Sequence, residues 1–140
     1  MTVRYRTSAI NHDGGDGVTA VPDGLAVSVF NPLSPDADTT ASNPEQLLAL
    51  AWATCLNATA QAVVGRERRT AVRVEVALRD AERRPGYEFE VTAFLSAEGF
   101  DDEATTRLAD AAHARCPVSR LLHGAPTATV RTEAYVTAAA

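Results

Sequence analysis

The sequence contains no lysine, so arginine supplies all 13 of its basic side chains. A Schiff-base mechanism is therefore excluded, because it requires a lysine amine. Acidic residues outnumber the arginines and give a formal net charge of −5 at pH 7, so we expect binding neither to nucleic acid nor to an anionic membrane. The first residues lack the apolar segment of a secretory signal, and no uninterrupted apolar stretch is long enough to span a bilayer. These absences predict a cytoplasmic protein.

Cysteine is scarce as well. Cys55 and Cys116 are the only two cysteines, and their separation of 61 positions excludes a CxxC redox motif or a local zinc knuckle. His12 and His123 fall in predicted turns, so we expect neither a metal site nor another cofactor. In a reducing cytosol, two distant thiols serve either as small buried hydrophobic side chains or as a catalytic redox pair. The spacing alone leaves both interpretations open.

Apolar residues, by contrast, are abundant enough for a core. They make up 46% of the chain, while charged residues account for 22%, which argues against disorder. No repeat, low-complexity segment or linker stands out. We therefore predict a single domain that covers residues 1–140.

The N-terminal third predicts three short strands followed by a loop. The strands cover residues 2–8, 18–21 and 25–30, and the turn His12-Asp-Gly-Gly-Asp-Gly17 separates the first two. Residues 31–41 are rich in Pro, Ser, Asp and Thr, which is typical of a loop.

A helix is predicted directly after this loop. Asn43 is the expected N-cap, Pro44 the first helical residue, and Gln46 lies where it can close a capping box. Gly65 is the expected stop. Steps of three and four residues predict an inner stripe made of Leu47, Ala51, Cys55, Ala58 and Ala62. Cys55 is therefore expected to be buried or nearly so.

The second half of the chain predicts a hairpin, a helix and a last strand. The hairpin strands alternate over residues 72–79 and 87–95. The helix begins at Asp101 or Asp102, and its predicted inner face includes Leu108, Ala112 and Cys116. Pro117 predicts a break after Cys116, and residues 127–136 form the last strand. The order βββ-α-ββ-α-β predicts an α+β fold with helices on a largely antiparallel sheet.

A catalytic role for either cysteine requires a thiolate. Burial raises the pKa of a thiol, so a cation or a set of hydrogen-bond donors must stabilise the anion. Attack on a peroxide would give a sulfenic acid, which a second thiol could trap as a disulfide. Cys116 precedes Pro117 near a predicted helix start, where free N–H groups favour a thiolate.

Each cysteine lies in or follows a recognisable motif. Asn43-Pro44-Glu45-Gln46-Leu47, followed by Ala53-Thr54-Cys55, is similar to the NPEQL…A-x-C signature of the OsmC/Ohr family, the osmotically inducible and organic hydroperoxide resistance proteins. Cys116-Pro117-Val118-Ser119 is similar to its C-P-x-S signature. The predicted order of elements also agrees across almost the whole chain, and the resemblance is closer to the Ohr branch.

The resemblance implies an OsmC/Ohr-like fold, with antiparallel sheets packed around a central cysteine-bearing helix in an intertwined homodimer. It implies a thiol-dependent peroxidase that reduces organic hydroperoxides in oxidative stress defence. Cys55 would become a sulfenic acid, and Cys116 would resolve it as a disulfide. A thiol reductant such as a dihydrolipoyl protein would then reduce the pair.

Glu45 matches the acidic residue that, in this family, orients an arginine beside the reactive cysteine. The alternative is an ordinary first-turn acid that interacts with the helix dipole. Glu45 and Cys55 are ten positions apart, which is about 15 Å along one continuous helix at 1.5 Å per residue. Either the helix breaks between them, or the site takes Glu45 from the other subunit.

The arginine itself is missing from both of its usual places. The Ohr branch carries it in a G-G-R-[DN]-G-like turn, where this chain has Asp13-Gly14-Gly15-Asp16-Gly17, with Gly15 at the arginine position. The OsmC branch carries it before the NPE motif, and residues 31–42 contain none. Arg4, Arg6 and Arg120 are the candidate substitutes. The missing arginine keeps a second hypothesis open: a non-catalytic family member that binds a small apolar ligand or acts as a redox-responsive interaction module.

Overall fold

The structure, a computed structural model, describes residues 1–36 and 38–137. It divides into two compact units, Met1–Leu47 and Leu48–Ala140, whereas a single domain over residues 1–140 stays a prediction. The elements of the described residues are β1 (Ile10–Asn11), β2 (Gly17–Ala20), β3 (Ala26–Val29), α1 (Pro44–Val64), β4 (Thr70–Asp80), β5 (Tyr87–Ala97), α2 (Asp102–Arg115), α3 (Pro117–Leu121) and β6 (Ala128–Thr132). This order confirms the predicted α+β class.

The first unit contains a three-stranded antiparallel sheet in the order β1-β2-β3. The predicted strand at residues 2–8 is wrong, because the ladder with β2 begins only at Ile10, opposite Ala20. Beyond Ala20 the chain turns, and the N–H of Val21 donates to the carbonyl of Leu25 rather than to a neighbouring strand. The segment before Ile10 therefore has no partner in this sheet.

Helix α1 begins and ends where the capping residues predict. The Asn43 side chain accepts a hydrogen bond from the Gln46 N–H at 2.8 Å, so Asn43 is the N-cap. The other half of the predicted capping box is replaced, since the Gln46 side chain accepts a bond from the Ser42 hydroxyl at 3.1 Å. Gly65 ends the helix with a φ of 94°, a backbone conformation in which a residue with a side chain would be strained.

The second unit is built on the hairpin of β4 and β5. These strands pair antiparallel over eleven residues each, from Thr70 opposite Ala97 to Asp80 opposite Tyr87. Strand β6 adds to the other side of β5 in parallel, because the chain returns to the sheet through the helical crossover of α2 and α3. It spans fewer residues than the predicted 127–136, since its pairing with β5 ends at Thr132.

The core of the second unit confirms some of the predicted inner positions and corrects others. Its buried residues come from α1, β5, α2 and the junction of α2 with α3: Trp52, Leu56, Ala60, Val91, Ala93, Leu95, Ala97, Leu108, Ala109, Ala112 and Cys116. Leu108, Ala112 and Cys116 were expected on the inner face of the second helix, and all three are buried.

The predicted inner stripe of α1 is wrong. Trp52, Leu56 and Ala60 form the buried stripe instead. Ala51, Ala58 and Ala62 are exposed, and Leu47 and Cys55 are half-buried. The bulky Trp52 and Leu56 side chains remove much more apolar area from water than alanines do, so they determine which side of the helix faces the core.

The outward side of α1 is largely apolar and uncovered in the single chain, with Thr54 exposed among its apolar residues. Leu50 is 63% exposed, and the exposed alanines 51, 58 and 62 lie on the same side of the chain's longest helix. With a mean hydropathy of 1.5, α1 is long and apolar enough to cross a bilayer, contrary to the expectation from sequence. One such helix is weak support for a membrane location, because the core helix of a water-soluble protein passes the same test.

Candidate active site

Cys55 lies on α1 at the edge of the buried stripe, beside Leu56 and three residues after Trp52. Its side chain is half-buried and packs against the hydrophobic core of the second unit. The helix therefore holds the Cys55 sulfur at the boundary between core and surface. The Cys55 residue is therefore partly open to solvent in the single chain.

Cys116 lies at the junction between α2 and α3. Cys116 is both the C-cap of α2 and the N-cap of α3, and its backbone is extended, with φ −64° and ψ 124°. Pro117 enforces this break, because its ring disfavours a helical conformation in the residue before it. The Cys116 side chain is 0% exposed, so solvent does not reach its sulfur in the single chain.

The fold brings the two cysteines into direct contact. Their Sγ atoms are 3.4 Å apart, within hydrogen-bonding distance for sulfur, although the residues are 61 positions apart. Both thiols are free. A disulfide bond requires a separation of about 2.05 Å, so the sulfur atoms need to approach by little more than 1 Å. Small side-chain rotations can supply that movement.

A buried hydrogen bond lies next to this pair. The indole N–H of Trp52 donates to the hydroxyl oxygen of Ser119 at 2.9 Å, and it joins α1 to α3. The sequence assigned Trp52 to the core, an interface or an apolar pocket, and it did not predict a bond between Trp52 and Ser119. The signal was present, since Ser119 ends the Cys116-Pro117-Val118-Ser119 motif and Trp52 precedes Cys55 by three helical positions.

The surroundings of the two sulfurs shift their pKa values in opposite directions. Burial raises the pKa of the Cys55 thiol, and the Val118 N–H offsets only part of that rise. Burial also acts to raise the pKa of Cys116, but the Ser119 N–H and hydroxyl, the Cys55 thiol and the Val118 N–H together outweigh it and lower that pKa.

Glu45 lies in the first turn of α1 and is half-buried. Its Oε2 atom is buried and has no hydrogen-bond partner among residues 1–36 and 38–137. Helix α1 runs without a break from Pro44 to Val64, so a break between Glu45 and Cys55 is not the solution to their separation. A rise of 1.5 Å per residue places the two about 15 Å apart along the helix axis.

The remaining candidates do not contribute to the sulfur pair. Arg120 donates through Nε to the carbonyl of Ala114 at 3.0 Å, and no basic side chain is among the causes of the pKa shift of either cysteine. His113 Nδ1 is buried without a partner in the described part of the chain. Within that same part, no group of three or more His, Cys, Asp or Glu side chains could hold a metal ion.

Comparison with known proteins supports the same family as the cysteine motifs. Residues 36–131 match the family model described as OsmC-like protein. The organic hydroperoxide resistance protein-like protein of Mycoplasma pneumoniae is 32% identical over 127 residues, which cover 87% of this chain and 89% of that one.

Solved structures resemble this chain along nearly its whole length. A protein of Lactobacillus casei superposes with a TM-score of 0.85 at 34% identity, covering 98% of this chain and 96% of the other. The organic hydroperoxide resistance protein OhrB of Bacillus subtilis superposes with a TM-score of 0.83 at 26% identity, covering 95% and 100%. The match of the family model to most of the chain, together with a relative above 30% identity along most of both lengths, shows that this chain belongs to the OsmC/Ohr family.

Proposed function

We propose that this protein is a thiol-dependent peroxidase that reduces organic hydroperoxides and contributes to oxidative stress defence. The observation that carries this proposal is the 3.4 Å contact between Cys55 Sγ and Cys116 Sγ. Two free thiols at this distance can store the two electrons that a peroxide accepts and can close to a disulfide afterwards. The names of related proteins, among them the OhrB protein of Bacillus subtilis, support an organic hydroperoxide as substrate.

The difference in exposure supports an order for the two thiols. Cys55 is half-buried and Cys116 is fully buried, so a bulky peroxide can reach only Cys55. Cys55 Sγ attacks the distal peroxide oxygen, the O–O bond breaks, and the alcohol leaves after its oxygen takes a proton. The sulfur is thereby oxidised to a sulfenic acid.

Resolution then occurs within the same chain. Cys116 Sγ attacks Cys55 Sγ, the S–O bond of the sulfenic acid breaks, and the hydroxyl group leaves as water after it takes a proton. The Cys55–Cys116 disulfide that remains is the oxidised form of the pair, which has given two electrons to the peroxide. A dithiol reductant, for which a dihydrolipoyl protein is our candidate, restores the two thiols by exchange.

A homodimer is the second part of this proposal. The uncovered apolar side of α1, with Leu50 63% exposed, is suited to burial against another copy of the chain. A second copy also offers an answer for Glu45, whose Oε2 atom is buried without a hydrogen-bond partner in the described residues. Because the unbroken α1 keeps Glu45 about 15 Å from the Cys55 of its own chain, we assign Glu45 to the site of the partner. The location we propose for this dimer is the cytoplasm, where thiol reductants are available.

Thiol counting tests the peroxidase directly. One equivalent of cumene or tert-butyl hydroperoxide should remove both titratable thiols of the reduced protein. Cys55→Ser should abolish turnover, and Cys116→Ser, the matched control, should still react once at Cys55. Equally slow peroxide consumption by the unaltered protein and by Cys55→Ser would show that this function is wrong.

A non-catalytic role is the second candidate, and one observation favours it. Burial raises the pKa of Cys55, and no charged group offsets that rise. A family member without an activated thiol could bind a small apolar ligand or respond to redox state through its cysteine pair. In that case Cys55 would react with peroxide no faster than a free cysteine at the same pH.

A further inference from the structure

One buried hydrogen bond connects the two elements that carry the cysteines. The Trp52 indole N–H on α1 donates to the Ser119 hydroxyl oxygen on α3 at 2.9 Å. Trp52 is 0% exposed and Ser119 is 1% exposed, so water does not replace either partner. An indole N–H is a donor only, and separation of the two residues would leave it buried and unpaired, which is costly. The bond therefore resists movement of α3 away from α1.

The hydrogen bond and the sulfur contact are parallel links between the same two elements. Trp52 precedes Cys55 by three positions on α1. Ser119 follows Cys116, the N-cap of α3, by three positions as well. Among the residues that the structure describes, these links are the only side-chain hydrogen bonds between α1 and the segment of α2 and α3. Residues three apart are neighbours on one side of a helix, so the two links together fix which sides of the elements face each other.

The sulfur contact alone is a weak link. A thiol is a weak donor and its sulfur a weak acceptor, and no disulfide joins Cys55 to Cys116 in this structure. Cys116 also lies at a break between helices, where no side-chain hydrogen bond caps α3. The bond between Trp52 and Ser119 is the stronger of the two links, and it is present before any disulfide forms.

We propose that Trp52 and Ser119 are a pair of positioning residues whose hydrogen bond holds Cys116 Sγ beside Cys55 Sγ in the reduced protein and so sets the effective concentration of the two thiols for disulfide formation. This inference rests on the proposed function, in which Cys116 resolves the Cys55 sulfenic acid. Without the bond, α3 is free to move away from α1 while the thiols are reduced. Closure of the disulfide must then recover the lost arrangement, which lowers the effective concentration.

Equilibration with glutathione measures this effective concentration in the absence of peroxide. Oxidised glutathione takes two electrons and two protons from the two thiols, which leaves the protein disulfide and two molecules of reduced glutathione. Acid quenching, alkylation of the remaining thiols and mass spectrometry give the oxidised fraction at each glutathione ratio. Trp52→Phe and Ser119→Ala should each lower the equilibrium constant for disulfide formation about fivefold, which is the order of one hydrogen bond. Unchanged constants in both variants would overturn the proposal.

A double-mutant cycle separates the hydrogen bond from general packing. If Trp52 and Ser119 act through their mutual bond, the variant with both Trp52→Phe and Ser119→Ala should lose no more than the single variants, about fivefold. Two residues that act independently would instead multiply their losses to about 25-fold. The multiplied loss would show that each side chain only fills space in the core, and it would overturn the proposal.

Two further serine variants control for the hydroxyl and for burial. Ser119→Thr keeps the hydroxyl and should retain the equilibrium constant that Ser119→Ala loses. Ser96→Ala removes a hydroxyl from a serine that is only 3% exposed in β5, and it should leave the constant unchanged. A loss in Ser96→Ala equal to that in Ser119→Ala would make the effect one of stability in general and would overturn the proposal.

The bond itself can be observed in the unaltered protein. The chain contains one tryptophan, so its nuclear magnetic resonance spectrum has a single indole N–H signal. We expect this hydrogen to exchange with deuterium far more slowly than that of free tryptophan, in both the reduced and the oxidised protein. Rapid exchange in the reduced protein would overturn the proposal, even if none of the variants folds.

Failure of this inference is distinguishable from failure of the peroxidase. A protein that gives the expected cycle with glutathione but consumes no hydroperoxide would refute the peroxidase and support the positioning pair. A protein that turns over cumene hydroperoxide but gives equal glutathione constants in all these variants would support the peroxidase and refute the positioning pair.

Discussion

Cys55 Sγ and Cys116 Sγ are 3.4 Å apart, and the two residues reach this position from different helices for different reasons. Cys55 is carried by the continuous helix α1, whose N-cap fixes where its turns begin. Cys116 lies at a break between two helices that Pro117 enforces. The contact therefore depends on a regular helix on one side and an interrupted helix on the other.

Cys116, the buried thiol, should protect Cys55 from overoxidation. In Cys116→Ser, the Cys55 sulfenic acid has no resolving thiol, so excess cumene hydroperoxide should convert it to sulfinic and sulfonic acids. Mass spectrometry of the intact protein should show additions of two and three oxygen atoms to this variant, against a disulfide in the unaltered protein. Pro117→Ala retains both thiols and is the control for loss of the break at Cys116. Disulfide formation in Cys116→Ser between two chains, in place of overoxidation, would contradict the prediction.

The free energies of unfolding of two leucine variants should identify the side of α1 that faces the core. Leu56 is fully buried, so Leu56→Ala should lower the free energy of unfolding by about 2–5 kcal/mol. Leu121 is 84% exposed, and Leu121→Ala should change it by no more than about 0.5 kcal/mol. Urea denaturation of both variants, in the reduced state, measures the difference. Equal losses in the two variants would place the core elsewhere.

Local sequence signals predicted the elements that depend on local chemistry. Asn43 and Gly65 gave the ends of α1, and Pro117 gave the break after Cys116, because caps and prolines act through the residues next to them. The hairpin followed from alternation between apolar and charged residues around one turn.

Features that depend on a partner elsewhere in the chain were harder to predict from the sequence. The strand predicted at residues 2–8 has the right composition but no neighbour, since β2 ends at Ala20. The inner stripe of α1 was predicted from spacing, and two stripes one position apart fit the same spacing. The large side chains of Trp52 and Leu56 decide which stripe is buried. Spacing by three and four residues carries no information about side-chain size.

The proposed site was predictable only as separate parts. The motifs singled out Cys55 and Cys116, but their 3.4 Å contact and the hydrogen bond from Trp52 to Ser119 arise from the packing of α1 on the helices that follow β5. No linear pattern reports a bond between residues 67 positions apart.

The uncovered side of α1 should mediate self-association. Ala58 is exposed in the middle of this side, and an arginine there would place a charge in the proposed interface between two chains. We expect Ala58→Arg to shift the protein from dimer to monomer in light scattering at micromolar concentration. Ala125→Arg makes the same change at an exposed loop position and should leave the dimer intact. A dimer that survives Ala58→Arg would show that another surface holds the two copies together.

Gly15 offers a way to restore the missing cation. A Cβ atom at this position would meet only Asn31 Cβ, at 3.7 Å, which is ordinary van der Waals contact, and the backbone of Gly15 does not adopt the left-handed conformation. An arginine can therefore replace Gly15 without backbone strain. If this turn supplies the cation in the assembled protein, Gly15→Arg should favour the Cys55 thiolate and counter the rise in its pKa that burial causes.

The expected gain from Gly15→Arg is about tenfold or more in the rate of the first peroxide reaction at neutral pH, for each pKa unit by which Cys55 falls. The gain should shrink as the pH rises, since Cys55 then ionises without the arginine. His12→Arg adds the same charge three positions earlier in the same turn, and it should give a much smaller gain. Equal acceleration by both substitutions would mean that a positive charge anywhere on this turn stabilises the Cys55 thiolate. No acceleration by Gly15→Arg would mean that position 15 lies out of reach of Cys55. A gain confined to Gly15→Arg would show that the chain retains the geometry of an arginine-activated site after losing the arginine.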